Sequence, residues 1–241
     1  MKRLVLALTL VAALAVPASA FPGGEVIFDT DRARYRGGVV VTLTLHNGTG
    51  EDITMENPWV IENRRTGDTE SIYVWPDDQL VVRPGEDRVW RWEQNDGGCY
   101  GQCENVQYGP PVGAGKYVGI ANTTGTDYAA PFDIGEYFTL GFTSRPNIAF
   151  VVYVNTPDEV AQMRAEAETD DADKQIVSGI VRRGQPYNPD WNFTMGPGSI
   201  VLGDIFIEVC DGSPFYVQRH RGEWLGERWC PWSSYVEKVG R

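Results

Sequence analysis

The residues best suited to chemistry crowd into one stretch, 208–234, "EVCDGSPFYVQRHRGEWLGERWCPWSS". It carries Cys210, Asp211, His220 and Cys230, with four aromatic rings between the two cysteines. A cysteine nucleophile would need a free thiolate beside the imidazole, with an acid to orient the ring. The start of the chain argues against that. Met1, Lys2 and Arg3, the apolar run "LVLALTLVAALAV" and "ASA" before Phe21 read as a signal peptide over residues 1–20. In an oxidising compartment thiols pair, and four cysteines leave none spare. The expected bonds are Cys99 with Cys103 and Cys210 with Cys230. The second closes a loop of about twenty residues, stabilises by roughly 3 kcal/mol through loop entropy, and removes the nucleophile.

Other chemistries fare no better. "CYGQC" could be half of a metal site, but its cysteines are three rather than two residues apart and no histidine lies near. The acidic run Asp170, Asp171 and Asp173 lacks the glycine and the closing glutamate of a calcium loop and reads as a solvated linker. There is no G-x-S-x-G, no H-E-x-x-H and no phosphate-binding glycine loop. A pair of carboxylates acting on a sugar depends on a separation that spacing along the chain does not reveal. No catalytic residue, metal or cofactor is expected. The formal net charge of −12 repels phosphate backbones, so nucleic acid is not an expected partner. No stretch after the leader is long enough and apolar enough to span a membrane as a helix.

The elements that must position these residues are mainly strands. "EVIFDT" and "GGVVVTLTLHNGTGEDITM" alternate, with Val39, Val41, Leu43 and Leu45 on one face. Asn47–Gly48 reads as a hairpin turn pairing the strand that ends at His46 with one resuming at Ile53. "WVIENR", "ESIYVW", "DQLVVR", "EDRVWRWEQ" and "GKYVGIAN" follow at short intervals, the spacing of an Ig-like β-sandwich over residues 21–135. Trp90 and Trp92 are expected to straddle their strand, one ring inside and one out. Composition changes near Gly135, where a second, α+β unit is placed over 136–241. There "NIAFVVYV" and "QIVSGIVRR" are strands. "TPDEVAQMRAEAE" is a helix with Thr156 as cap, Pro157 at its first position, Glu159 completing a capping box, and Val160 and Met163 as its apolar stripe. "SIVLGDIFIEVCD" reads as a further strand, with Ile205, Ile207 and Val209 on one side. Ser213 and Pro214 open a short helix, and "WSSYVEKV" closes the chain as a strand.

Two resemblances accompany these patterns. "YRGGVVVTLTLHNGTGEDITM", "LVVRPGEDRVWRWEQNDGG" and "PPVGAGKYVGI" resemble the bacterial Ig-like domains related to the intracellular proteinase inhibitor family, over about 24–134. "EYFTLGF", "VSGIVRRGQPYNPDWNFTMGPGSI", "DIFIEVCDGSPFYVQ" and "WCPWSS" resemble the calmodulin-binding-protein-like domain, over 136–241. The first resemblance implies a sandwich and, as one alternative, protease inhibition. The second implies an α+β fold and, by its name, calmodulin. A calmodulin target presents a helix basic on one face and apolar on the other. Residues 214–228 offer Arg219, His220, Arg221 and Arg228 against Phe215, Trp224 and Leu225, but Glu223 and Glu227 dilute the charge, and Gly222 and Gly226 break the helix. Calmodulin is cytosolic and the leader directs export, so the fold is carried over and the ligand is not.

What remains is a surface of rings on stiff loops. "PYNPDWNF" holds Tyr187 and Trp191 beside two prolines; Trp224, Trp229 and Trp232 surround the second cysteine; Tyr100 and Tyr108 lie on the loop from Glu93 to Gly115. These rings either pack or contact a partner. The expectation is a secreted or periplasmic, non-enzymatic binding protein, with protease inhibition and a carbohydrate-active or carbohydrate-binding role as alternatives.

Overall fold

The computed structural model describes residues 24–55, 60–74, 79–96, 98–101, 109–170 and 172–241, with the backbone alone for 71–74 and 98–101. The leader expected at 1–20 lies outside the described residues. The chain is mainly β, as its alternating pattern implies. In order come β1 (Val26–Thr30), β2 (Arg34–Arg36), β3 (Val41–Asn47), β4 (Ile53–Met55), β5 (Val60–Asn63), β6 (Thr69–Val74), β7 (Leu80–Val82), β8 (Asp87–Trp92), β9 (Gly98–Gly101), β10 (Gly115–Thr123) and β11 (Thr126–Phe142). A sheet β1-β3-β8 packs over one core with the sheet that runs through β11, β10, β5, β6 and β9. Period-two alternation makes this packing: Val41, Leu43 and Leu45 of β3 all point inward and are fully buried. Gly119 of β10 is where the sheets come closest, since a Cβ there would lie 2.3 Å from the Leu43 Cδ2.

Two expectations for this half are corrected. Trp90 and Trp92 do not straddle β8; being two residues apart they share its inner face, and both are buried. Trp92 packs against Tyr117 and Phe132, and its Nε1 donates to the carbonyl of Asn95. Nor does Asn47–Gly48 make a hairpin. β3 pairs with β1 and β8, while β4 pairs with β7. Asn47 is buried, and its Nδ2 donates to the carbonyls of Glu51 and Val82 while its Oδ1 accepts from Thr49. A buried amide so fully engaged turns the chain into a corner between sheets rather than back along its own strand.

After β11 come β12 (Phe150–Val154), α1 (Pro157–Glu168), β13 (Ile176–Arg183), β14 (Phe193–Met195), β15 (Val201–Gly203), a 3-10 turn at Glu208–Cys210, α2 (Pro214–Arg219), α3 (Arg221–Trp224), β16 (Arg228–Trp229) and β17 (Ser234–Val239). β11 pairs with β12 and β17, and β13 with β14, β15 and β16. These strands and Met163 of α1 enclose a second core. The buried residues change over along β11, from Phe132 and Ile134 in the first core to Phe138 and Leu140 in the second. Gly135 thus lies inside a continuous strand.

The α1 signals place the helix where expected, but Thr156 does not cap it with its side chain. Its hydroxyl donates to Glu159 instead, and the Glu159 carboxylate also accepts from the backbone N–H groups of Gly198 and Ile200. Engaged by that neighbouring loop, Glu159 draws the threonine hydroxyl toward itself and away from the helix end.

Candidate functional site

The Cys210–Cys230 disulfide forms as expected, across a Cα–Cα distance of 5.2 Å. Backbone geometry brings the two residues together: the N–H of Cys230 donates to the carbonyl of Cys210 at 2.8 Å. Asp211 Oδ1 accepts from the N–H groups of Gly212 and Trp232, and Ser213 caps α2 by accepting from the N–H of Tyr216. A bonded Cys210 leaves no thiolate for nucleophilic chemistry. His220 lies flat against Tyr216, with centroids 4.4 Å apart, and its Nδ1 sits 3.4 Å from Glu223. His46 faces Asp87 at 2.6 Å, far along the chain from any cysteine it could serve.

Most of the rings expected to meet a partner are instead inside. Trp229 is fully buried, 5.2 Å from both Phe150 and Phe193 in edge-to-face contact, with its Nε1 donating to the carbonyl of Gly212. Trp191 is buried against Phe150 and Phe215, and its Nε1 donates to the carbonyl of Ala149. A tryptophan whose N–H has a backbone partner can be buried at little polar cost, and each gains the transfer energy of a large ring. Asn188, in the same "PYNPDW" stretch, is buried and accepts from the N–H of Val151, fixing that turn to β12. Trp224 is half-buried and Trp232 is exposed. For Tyr100 and Cys99 only the backbone of β9 is described, and Tyr108 and Cys103 lie outside the described residues, as does the bond expected between Cys99 and Cys103.

Tyr187 has a different role. With Tyr137 and Tyr153 it forms a small buried cluster at the junction of the two cores. The Arg34 guanidinium, from β2, stands over both Tyr153 and Tyr187 and donates to Gln185, while the Tyr153 hydroxyl donates to the carbonyl of Tyr35. Burial pushes the phenols of Tyr153 and Tyr187 above the ordinary tyrosine range. These rings therefore stay neutral and bind the halves together. Nothing in the local spacing marks Arg34 or Tyr153 for this, because the junction joins segments more than a hundred residues apart.

The exposed surface lies on the other side of the disulfide. Residues 204–209 do not form the expected strand. β15 ends at Gly203, which stands opposite Ile176, the first residue of β13. Beyond that point the chain overruns the ladder and has no strand to pair with. Ile205, Ile207 and Val209 therefore face solvent, 84%, 70% and 81% exposed. Asp204 is held at one end by the Gln175 side chain, and Cys210 fixes the other. Carboxylates alternate with the apolar side chains at Asp204, Glu208 and Asp211, all exposed. Alternation signalled a strand; only the length of β13 could have shown that the strand had no partner.

Metal and sugar chemistry find little footing among the described residues. No cluster of three or more His, Cys, Asp or Glu side chains suited to a metal occurs there. Asp170 and Asp173 meet in a turn, and Asp171 lies outside the described residues. The described linings of the two larger clefts hold one carboxylate each, Glu70 and Glu136, and neither makes the facing pair that glycoside hydrolysis uses. No described helix is long and apolar enough to cross a membrane.

No curated protein matches the chain, and no family match supports the Ig-like expectation for residues 21–135. The calmodulin-binding-protein-like expectation for the second half is met only loosely. Residues 136–240, which carry the staple, the buried tryptophans and the exposed strip, match the family model of the BP-74 N-terminal domain.

Proposed function

We propose that the chain is an exported, non-enzymatic binding protein, and that it engages a protein partner through the strip formed by Ile205, Ile207 and Val209. The observation that carries this reading is their exposure on a segment tied down at both ends. Three aliphatic side chains held in water are a cost in the free chain that a partner relieves, and a fixed segment loses little entropy on docking. The interleaved Asp204, Glu208 and Asp211 select an apolar patch rimmed by lysine or arginine. The disulfide suits an oxidising compartment. Calmodulin, itself acidic and cytosolic, is a poor match to an acidic strip on an exported chain.

The test compares the purified chain with Ile205→Ser/Ile207→Ser/Val209→Ser, first as bait in medium conditioned by the native host and then against each captured protein in isolation. The expected result is a partner whose affinity falls at least about tenfold in the variant and weakens with salt, as charge complementarity requires. Equal binding by the variant overturns the reading. Self-association that the variant abolishes would instead make the strip an interface between copies of this chain. Protease inhibition is the second reading, favoured by a short exposed segment that ends at a disulfide. Loss of inhibition of a host-medium protease in the same variant would put it first.

A further inference from the structure

A cleft of about 660 Å³ opens between the two halves. Asn63, Arg64, Arg65, Glu70 and Lys116 line it from the β5–β6 turn and the start of β10; Asn155, Thr156 and Pro157 at the entry to α1 and the Pro197–Gly198 loop line it from the other half. Its size is that of a small-molecule site.

Asn155 is the residue that needs explaining. It is 2% exposed, and neither its Nδ2 nor its Oδ1 has a hydrogen-bond partner. The amide lies close enough to Asp133 to favour that carboxylate, but no bond of ordinary geometry forms between them. Buried amides are nearly always satisfied, and an orphaned one on a cleft wall is a position where a ligand completes the bonding. Glu159, two residues into α1, is already saturated by Thr156, Gly198 and Ile200, so it fixes the cleft wall and leaves Asn155 as the open group.

The surrounding charge indicates what would enter. Arg64, Arg65 and Lys116 are exposed, mobile-stemmed cations gathered at one mouth of a chain that is acidic as a whole. The first turn of α1 points its free N–H groups toward the same space, and helix starts favour anions. Acidic neighbours are also present: Glu70 in the lining, with Asp68 and Asp96 within its electrostatic reach, and Asp133 near Arg64 and Lys116. Glu70 accepts from Asn63 and sits at the opposite side of the charge pattern, where it can take a donor from the ligand.

We infer that this cleft binds a small organic oxyanion, a carboxylate or phosphate ester bearing hydroxyl or amino donors, with Arg64, Arg65 and Lys116 on the anion, Asn155 bonding both ways, and Glu70 accepting from the donor end. Guanidinium groups match carboxylate and phosphate oxygens in pairs, which gives such a site its selectivity. The bound molecule spans the two halves.

The experiment titrates the purified chain with inorganic phosphate and with citrate by calorimetry, in chloride buffer of matched ionic strength. The expected result is saturable binding of at least one anion, weakened at least about tenfold in Arg64→Ala/Lys116→Ala, the scale of a lost charge-assisted bond, and unchanged in Arg83→Ala, a surface arginine outside the cleft. The side-chain amide resonances of Asn155 should shift along the same saturation curve, a readout that needs no substitution in the buried wall. Absence of saturable binding, equal weakening by Arg83→Ala, or binding that leaves the Asn155 amide unmoved would each overturn the inference.

Discussion

Trp229 and the strip from Ile205 to Val209 lie at the two ends of one disulfide, yet they occupy opposite environments. Both segments carry apolar side chains that composition alone would send inside. Trp229 sits opposite Gly179 in the β16–β13 ladder, so its neighbours are fixed and its ring enters the second core. Ile205, Ile207 and Val209 follow a strand that has run past the end of β13, and their side chains have no facing surface. Burial here is decided by whether a ladder partner exists, and only then by hydrophobicity.

The comparison can be broken most forcefully from its buried side. Trp229→Ala should destabilise the fold by about 3–5 kcal/mol, the range for deleting a fully packed aromatic side chain, read as a fall in the urea midpoint. A change no larger than that of a surface substitution would mean that the ring is not core. Removing the tether with Cys210→Ser/Cys230→Ser should cost about 3 kcal/mol by loop entropy, and hydrogen exchange should speed most over residues 204–212. Uniform acceleration across the second half would show the bond to be part of the core itself and not a clamp on the strip. The smallest effect belongs to the exposed side. Ile205→Ser/Ile207→Ser/Val209→Ser should change stability by less than about 1 kcal/mol in total while it abolishes partner binding, because surface substitutions carry little folding energy. A marked loss of stability would place those side chains in contacts that their exposure denies.

How far these outcomes could be read from the chain alone differs from element to element. α1 was legible because its start is local: a threonine, a proline and a glutamate within four residues, followed by an apolar stripe that includes Met163. The Cys210–Cys230 bond was legible from compartment and count. The shared inner face of Trp90 and Trp92 was present in the sequence as simple alternation, and the expectation that they straddle β8 neglected the period of two. The corner at Asn47 was not legible, because an Asn-Gly pair serves a hairpin or a crossover equally well until the distant Val82 carbonyl is known. The same holds for the candidate site. "DIFIEV" has the pattern of a buried strand, and its exposure depends on where β13 begins. Arg34 joins Tyr153 and Tyr187 only once residues far apart in the chain have been brought side by side.

The passage from one half to the other through β11 has a consequence for how the molecule responds to a ligand. Proteins that close on their ligands usually do so about a few freely turning backbone bonds between rigid bodies. Here the crossing is a seventeen-residue strand, hydrogen-bonded to β10 in its first part and to β12 and β17 in its second, with Arg34 and three tyrosines packed across the step. Such a crossing resists rotation, so the two walls of the cleft keep their spacing whether or not it is filled. Recognition there should resemble a key entering a cut lock, with selectivity set by the fit of the ligand and with little change in the outline of the protein as it binds.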